Sequence, residues 1–219
     1  MSVKIATLGD ASILDLPKVG FLSSRKVPPA AVMKCYDWAT EMRDKGVCVM
    51  GGFQSPLERD VLTFLLKGKQ PVIWVLAHKL WTEKSIPKVY REPIAAGRLL
   101  VVSPVAQTAT RVDARTAAIR NRYILEHSEK VVFAAIDPNG ALSRLVGEYP
   151  DLQCQVLAWR RWMMVDVREL TKRGARLLPR HGGEDGYALG VRQSDGELQP
   201  RLRLVYRAFA GGRTAAAVI

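Results

Sequence analysis

Between residues 19 and 136 the chain alternates short, almost purely apolar runs with segments that carry helix start and stop signals, and this alternation constrains the fold more than any other feature. The apolar runs are 19–22, 47–50, 72–76, 99–102 and 131–136. Between them, 29–45 opens on Pro28-Pro29 and closes at Gly46, 56–67 closes at Gly68, 87–96 closes at Gly97, and 113–128 follows Asp113. Proline in a first turn and glycine just past a last one are the expected helix punctuation. Strands without a polar face must be covered on both sides, which predicts a parallel sheet between two helical layers. The expected fold is therefore a doubly wound α/β domain over residues 1–145.

Past residue 146 the pattern changes. "LAWRRWMMVDVRELTKRGARLL" reads as an apolar start running into a charged helix, "PRHGGEDG" as a loop, and the stretch that follows as two strands around Ser194-Asp195-Gly196. Residues 146–219 are thus expected to form a small α+β annex.

In a doubly wound sheet, ligands collect at the carboxyl ends of the strands near the switch in strand order. The loops expected on that edge are Ser23-Ser24-Arg25-Lys26, Gly51 to Ser55, Ala77-His78-Lys79 and Asp137 to Gly140. The second of these belongs to "GGFQSPLERD", residues 51–60, which supports two readings. Ser55 as N-cap, Pro56 as first helical residue and Glu58 reaching back to the cap make a complete capping box. The preceding pair Gly51-Gly52 is not needed for a cap, and would let backbone N–H groups approach an anion at the helix N-terminus.

Charge narrows the partner class. Lys and Arg number 33 against 21 Asp and Glu, a formal +12, of which +8 falls on residues 1–145. Such an excess attracts polyanions and favours nucleic acid. On "RVDARTAAIRNRYILEHS", Arg111, Arg115 and Arg122 share one helical face and Arg120 lies off it, in a helix expected to bury Ala118, Ile119, Ile124 and Leu125. A charged helix face is ordinarily solvated, but Arg120-Asn121-Arg122 among buried positions invites a phosphate or a partner side chain. The odd cysteines Cys35, Cys48 and Cys154 read as buried thiols in a reducing cytoplasm. The N-terminus lacks a signal-peptide core and no apolar run is long enough for a membrane helix, so a cytoplasmic, membrane-free protein is expected. No metal site and no cofactor are expected.

The ordered motifs "GFLSSRK", "GVCVMGGFQSPLERDVL", "QPVIWVL", "AAGRLLVVSP" and "IRNRYI" resemble those of the DprA/Smf family of DNA-processing proteins, over about residues 1–145. The resemblance implies an extended Rossmann-like fold, binding of single-stranded DNA, often as a dimer, and DNA contacts for Arg25, Lys26, Gly52, Arg120 and Arg122. The family's second loop usually reads "SGxAxGID", whereas "GGFQSPLE" stands here. That form is similar to the "GGxGTxxE" loop of the Lonely Guy phosphoribohydrolases, which cleave an N-glycosidic bond with a Glu at this site. The family's C-terminal winged helix is not recognisable.

Two functions follow as expectations. In the first, the protein is a DNA glycosylase of repair or defence against foreign DNA. Glu58 stabilises an oxocarbenium-like transition state, with Asp137 as the second candidate carboxylate. Gly51, Gly52, Ser24 and Ser55 hold the sugar-phosphate, Arg25, Lys26, Arg120 and Arg122 the phosphates, and Phe53 and Gln54 the base. Trp81 and Tyr90, if exposed, help to unstack a duplex, while Trp74 fits ordinary core packing. In the second, the protein binds single-stranded DNA without chemistry and Glu58 is only a cap.

Overall fold

The computed structural model describes residues 5–137 and 139–157, together with three strands beyond them at 175–179, 187–192 and 198–202. The main sheet holds β1 (Ala6–Leu8), β2 (Lys18–Leu22), β3 (Cys48–Gly51), β4 (Val72–Val75), β5 (Leu99–Ser103), β6 (Lys130–Phe133) and β7 (Cys154–Val156). Its order is β1-β5-β4-β3-β2-β6-β7, parallel except where β1 pairs antiparallel with β5. The helices are α1 (Pro29–Asp44), α2 (Pro56–Leu65), α3 (Lys88–Ala95), α4 (Ala114–Glu126) and α5 (Ala141–Val146). The expected doubly wound α/β fold is the observed one. The chain adds β3, β4 and β5 successively on one side of β2, then crosses through α4 to place β6 on the other, so the switch in strand order falls between β2 and β6.

Strand side chains divide between two core layers with the period of two that a sheet imposes. Val19, Phe21, Val49, Val72, Trp74, Leu99, Val101 and Val132 face a layer shared with Cys35, Trp38, Val61 and Leu62 of α1 and α2. Leu22, Cys48, Met50, Ile73, Val75, Leu100, Val102, Val131 and Phe133 face the other, with Tyr123, Ile124 and Leu125 of α4 and Leu142 and Leu145 of α5. Gly20 is the close point of this second layer: a Cβ there would lie 3.1 Å from Ile124 and 2.8 Å from Ser128. That missing side chain lets α4 lie close against β2 and sets the depth of the residues it carries. Cys35, Cys48 and Cys154 are all buried, and burial pushes the Cys35 and Cys154 thiols up to about 12 and Cys48 to about 11.

Three elements depart from the sequence expectation. The sheet does not stop near residue 145, because α5 leads into β7, which pairs with β6. The interrupted polarity of "DLQCQVL" hides this short strand. Edge strand β1 is likewise too short for a periodic signal. Ala118 is exposed and Ile119 only partly covered, since the buried face of α4 runs through Thr116, Arg120, Tyr123 and Ile124, spaced by three and four. Arg111 precedes α4 altogether.

In the annex, β8 (Ala175–Pro179), β9 (Tyr187–Arg192) and β10 (Leu198–Leu202) form a three-stranded antiparallel sheet with β9 in the centre. The two strands expected around Ser194-Asp195-Gly196 are β9 and β10. Residues 193–197, the expected charged helix and the expected loop from 180 to 186 lie outside the described residues.

Candidate functional site

Phe21 at the end of β2 is in register with Gly51 at the end of β3, so the loops that follow these strands leave the sheet side by side. The chain turns sharply after Gly52, and Phe53 sits in the left-handed region at φ 42°. This conformation is unusual for a bulky residue and is held here by packing. The Phe53 ring folds back under Gly51, where a Cβ would lie 2.7 Å from its Cζ, and meets Trp74 edge to face. At 0% exposure Phe53 is a core residue, which corrects its expected contact with a base. Gly51 is glycine to make room for that ring.

Gly52 faces a different neighbour. A Cβ there would come within 2.8 Å of Cζ and 2.9 Å of Nε and Nη1 of Arg120, which reaches across from α4. The guanidinium donates to Gln54 Oε1 through Nη1 at 2.6 Å, and to Asn121 Oδ1 through Nε at 3.0 Å and Nη2 at 2.8 Å. Arg120 is 8% exposed, and no carboxylate lies within ion-pair distance of it among the described residues. Burial lowers its pKa from the ordinary value, and the Glu58 charge nearby pulls the other way. Arginine carries five donors, and these three bonds use three of them. A buried cation held by neutral amides, with N–H groups to spare, is arranged to meet an anion.

Glu58 sits beneath this loop. Its Oε2 accepts from Ser55 N–H at 2.9 Å and Gln54 N–H at 3.1 Å, while Glu58 N–H donates to Ser55 Oγ at 3.2 Å. This is the full capping box at the start of α2, and Glu58 is 3% exposed. Glu58 Oε2 and the Ser55 hydroxyl are both engaged in holding the turn, and Gln54, itself exposed, has its side-chain oxygen on Arg120.

At the switch point the loops after β2 and β6 are tied together. Ser24 N–H donates to Ala135 C=O at 2.9 Å, and Ser24 Oγ accepts from Asp137 N–H at 2.8 Å. Asp137 in turn accepts from Asn139 N–H through Oδ1 at 3.1 Å, a local turn bond. Ser24 is buried by this tie, whereas the neighbouring Arg25 and Lys26 are exposed. Ser24→Ala should leave the Asp137 N–H without its partner and lower stability by about 1–3 kcal/mol. An unchanged midpoint in urea would reduce the tie to a bystander.

Of the two α4 arginines expected to contact DNA, the structure brings only Arg120 to the glycine loop. Arg122 donates to Glu148 Oε2 at 2.8 Å and Tyr149 Oη at 3.0 Å, and lies over the Tyr149 ring, bracing α4 against the segment after α5. The spacing carries the signal that separates them: Arg120 shares a face with Tyr123 and Ile124, and Arg122 does not. Trp74 is a loop anchor as well as a core residue; its indole N–H donates to Gly52 C=O at 2.8 Å, a bond that no sequence pattern announces.

Among the described residues, no group of three or more His, Cys, Asp or Glu is placed to hold a metal ion, and no helix is long and apolar enough to cross a membrane. No protein-family model matches the sequence, and no curated protein matches it either. Solved structures do match the fold. DNA processing protein A from Helicobacter pylori, described for its single-stranded DNA binding mode, superposes with a TM-score of 0.60 at 19% identity, over 78% of this chain and 80% of that one. DNA processing protein A from Streptococcus pneumoniae superposes with a TM-score of 0.56 at 16% identity, over 80% of this chain; the chain spans only 62% of that protein. The α/β domain therefore has the Rossmann-like fold of the DNA processing protein A structures.

Proposed function

We propose that the protein binds single-stranded DNA along the carboxyl edge of its sheet and performs no chemistry on it. The observation that carries this reading is the buried Arg120 guanidinium laid against Gly52 with no carboxylate in ion-pair distance among the described residues, one strand away from the exposed Arg25-Lys26 turn at the switch point. The Helicobacter protein of the same fold is described as binding single-stranded DNA, which supports the same reading. So does the formal charge of +12. The capping bonds of Glu58, whose Oε2 accepts from two backbone N–H groups while the residue is 3% exposed, support a structural role for this carboxylate over a catalytic one.

Fluorescence anisotropy with a labelled single-stranded oligonucleotide tests the proposal. Affinity should fall steeply between about 50 and 200 mM salt, as counterion release requires; each phosphate contact contributes about 0.7 to the log–log slope. Arg25→Ala and Lys26→Ala should each weaken binding and flatten that slope, with the fold intact because both side chains are exposed. A salt-independent affinity, or unaltered binding by both variants, would remove the assignment. Abasic sites revealed by alkali after incubation with modified DNAs would restore the hydrolase.

A further inference from the structure

Beyond the glycine loop, the end of β4 carries an aromatic cluster that neither the loop nor Arg120 explains. Trp74 is buried and anchored to Gly52 C=O. Trp81, in the loop after β4, and Tyr90, in the first turn of α3, each stand perpendicular to Trp74 with ring centroids 5.0 Å from it. These two rings are nearly parallel to one another, 13° apart in plane with centroids separated by 6.0 Å. Core packing accounts for Trp74. Trp81 and Tyr90 pack against the same core layer and yet remain partly exposed.

The Trp81 loop is pinned in place. Lys79 N–H donates to Ala109 C=O at 2.7 Å and Leu80 N–H to Gln107 Oε1 at 2.9 Å, fastening it to the loop after β5. The segment 79–92 that carries both rings is cationic: Lys79, Lys84, Lys88 and Arg91 are exposed in it, with Glu83 as the opposing charge and Glu92 engaged by Arg98. The Arg59 charge also acts on the Tyr90 phenol, opposing the upward push of burial. Rings held on a buried support, partly open and carried on a cationic segment, suit a flat group attached to a polyanion.

We infer that Trp81 and Tyr90, braced on Trp74 beside the Gly52 loop, form a stacking shelf for a base of a single-stranded nucleic acid. The inference rests on the DNA-binding reading above and extends that site along the sheet edge. Every base has a π face, so such a shelf is tolerant of sequence. In a duplex those faces are hidden, so the shelf selects single strands.

The experiment compares the whole protein on an oligothymidylate and on an abasic tract of equal length and charge, at low salt. The wild type should prefer the thymidylate by roughly 5- to 100-fold, the span of one stacked base. Trp81→Leu and Tyr90→Leu should each lose most of that preference while keeping the affinity for the abasic tract and its salt slope; Trp81→Phe should keep the preference. Equal wild-type affinity for the two tracts, a comparison that needs no variant to fold, would overturn the shelf and leave the phosphate contacts standing. Variants that fold and retain the full preference would overturn it too. Failure of the wild type to bind either tract would sink the DNA-binding reading, and the shelf with it.

Discussion

Gly51→Ala and Gly52→Ala, one position apart, should fail in different ways. A Cβ added at Gly51 would meet the Phe53 ring at 2.7 and 2.9 Å and Phe21 C=O at 3.2 Å. Neither neighbour can yield: the ring is fully buried against Trp74 and the carbonyl belongs to an interior strand of the sheet. Overpacking of this kind costs about 1–3 kcal/mol, and in a chain of this length each kcal/mol lowers the melting midpoint by roughly 2–4 °C. A Cβ added at Gly52 instead meets the far end of a flexible side chain, the Arg120 guanidinium. Arg120 can swing aside, but only by giving up its bonds to Gln54 and Asn121 and its place against the loop. Gly52→Ala should therefore keep more of the stability, and lose more of the DNA affinity, than a Gly51→Ala variant that remains folded. Thermal melts and anisotropy on the two variants decide this. Equal loss of affinity at matched folding would separate Arg120 from binding.

The different fates of these glycines show where sequence reasoning reaches and where it stops. Apolar runs and helix punctuation are local signals, and they locate five of the parallel strands and four of the helices to within a few residues. The cap of α2 is also legible, because Ser55, Pro56 and Glu58 act within one turn. What Gly51 and Gly52 make room for is not, because Phe53 folds back through a left-handed backbone and Arg120 arrives from a helix 66 residues downstream of Gln54. In sequence the pair reads as a phosphate cradle. In the structure both glycines are first packing devices, and the anion-seeking group is the arginine that one of them admits. Arg122 reads as a phosphate ligand because unpaired charge is conspicuous in a sequence; its ion pair with Glu148 depends on α5 and the segment after it, which give no periodic signal.

Glu58 offers the second large effect, because its stabilising role and its influence on an anion have opposite signs. Glu58→Ala removes the acceptor of two backbone N–H groups in a partly buried turn, together with the negative charge that partly offsets the burial of Arg120. A capping residue is worth about 0.5–2 kcal/mol and each unsatisfied buried N–H about 1–3, so a loss of roughly 2–4 kcal/mol is expected once relaxation lets water reach part of the turn. Glu58→Gln keeps an acceptor oxygen and the capping box, so only the charge is lost, and the cost should stay near about 1 kcal/mol. That same lost charge repels a phosphate approaching Arg120. Under the binding reading, Glu58→Gln should therefore hold single-stranded DNA as tightly as the wild type or a few-fold more tightly, despite its lower stability. A catalytic carboxylate predicts the reverse signature: unchanged binding with base release slowed on the order of a hundredfold or more, since the charge that meets the developing cation would be gone. Urea melts on both variants, with anisotropy on Glu58→Gln, separate the two. Weaker DNA binding by a folded Glu58→Gln would mean that Arg120 needs its carboxylate neighbour to be positioned, and that its own charge is not what the phosphate meets.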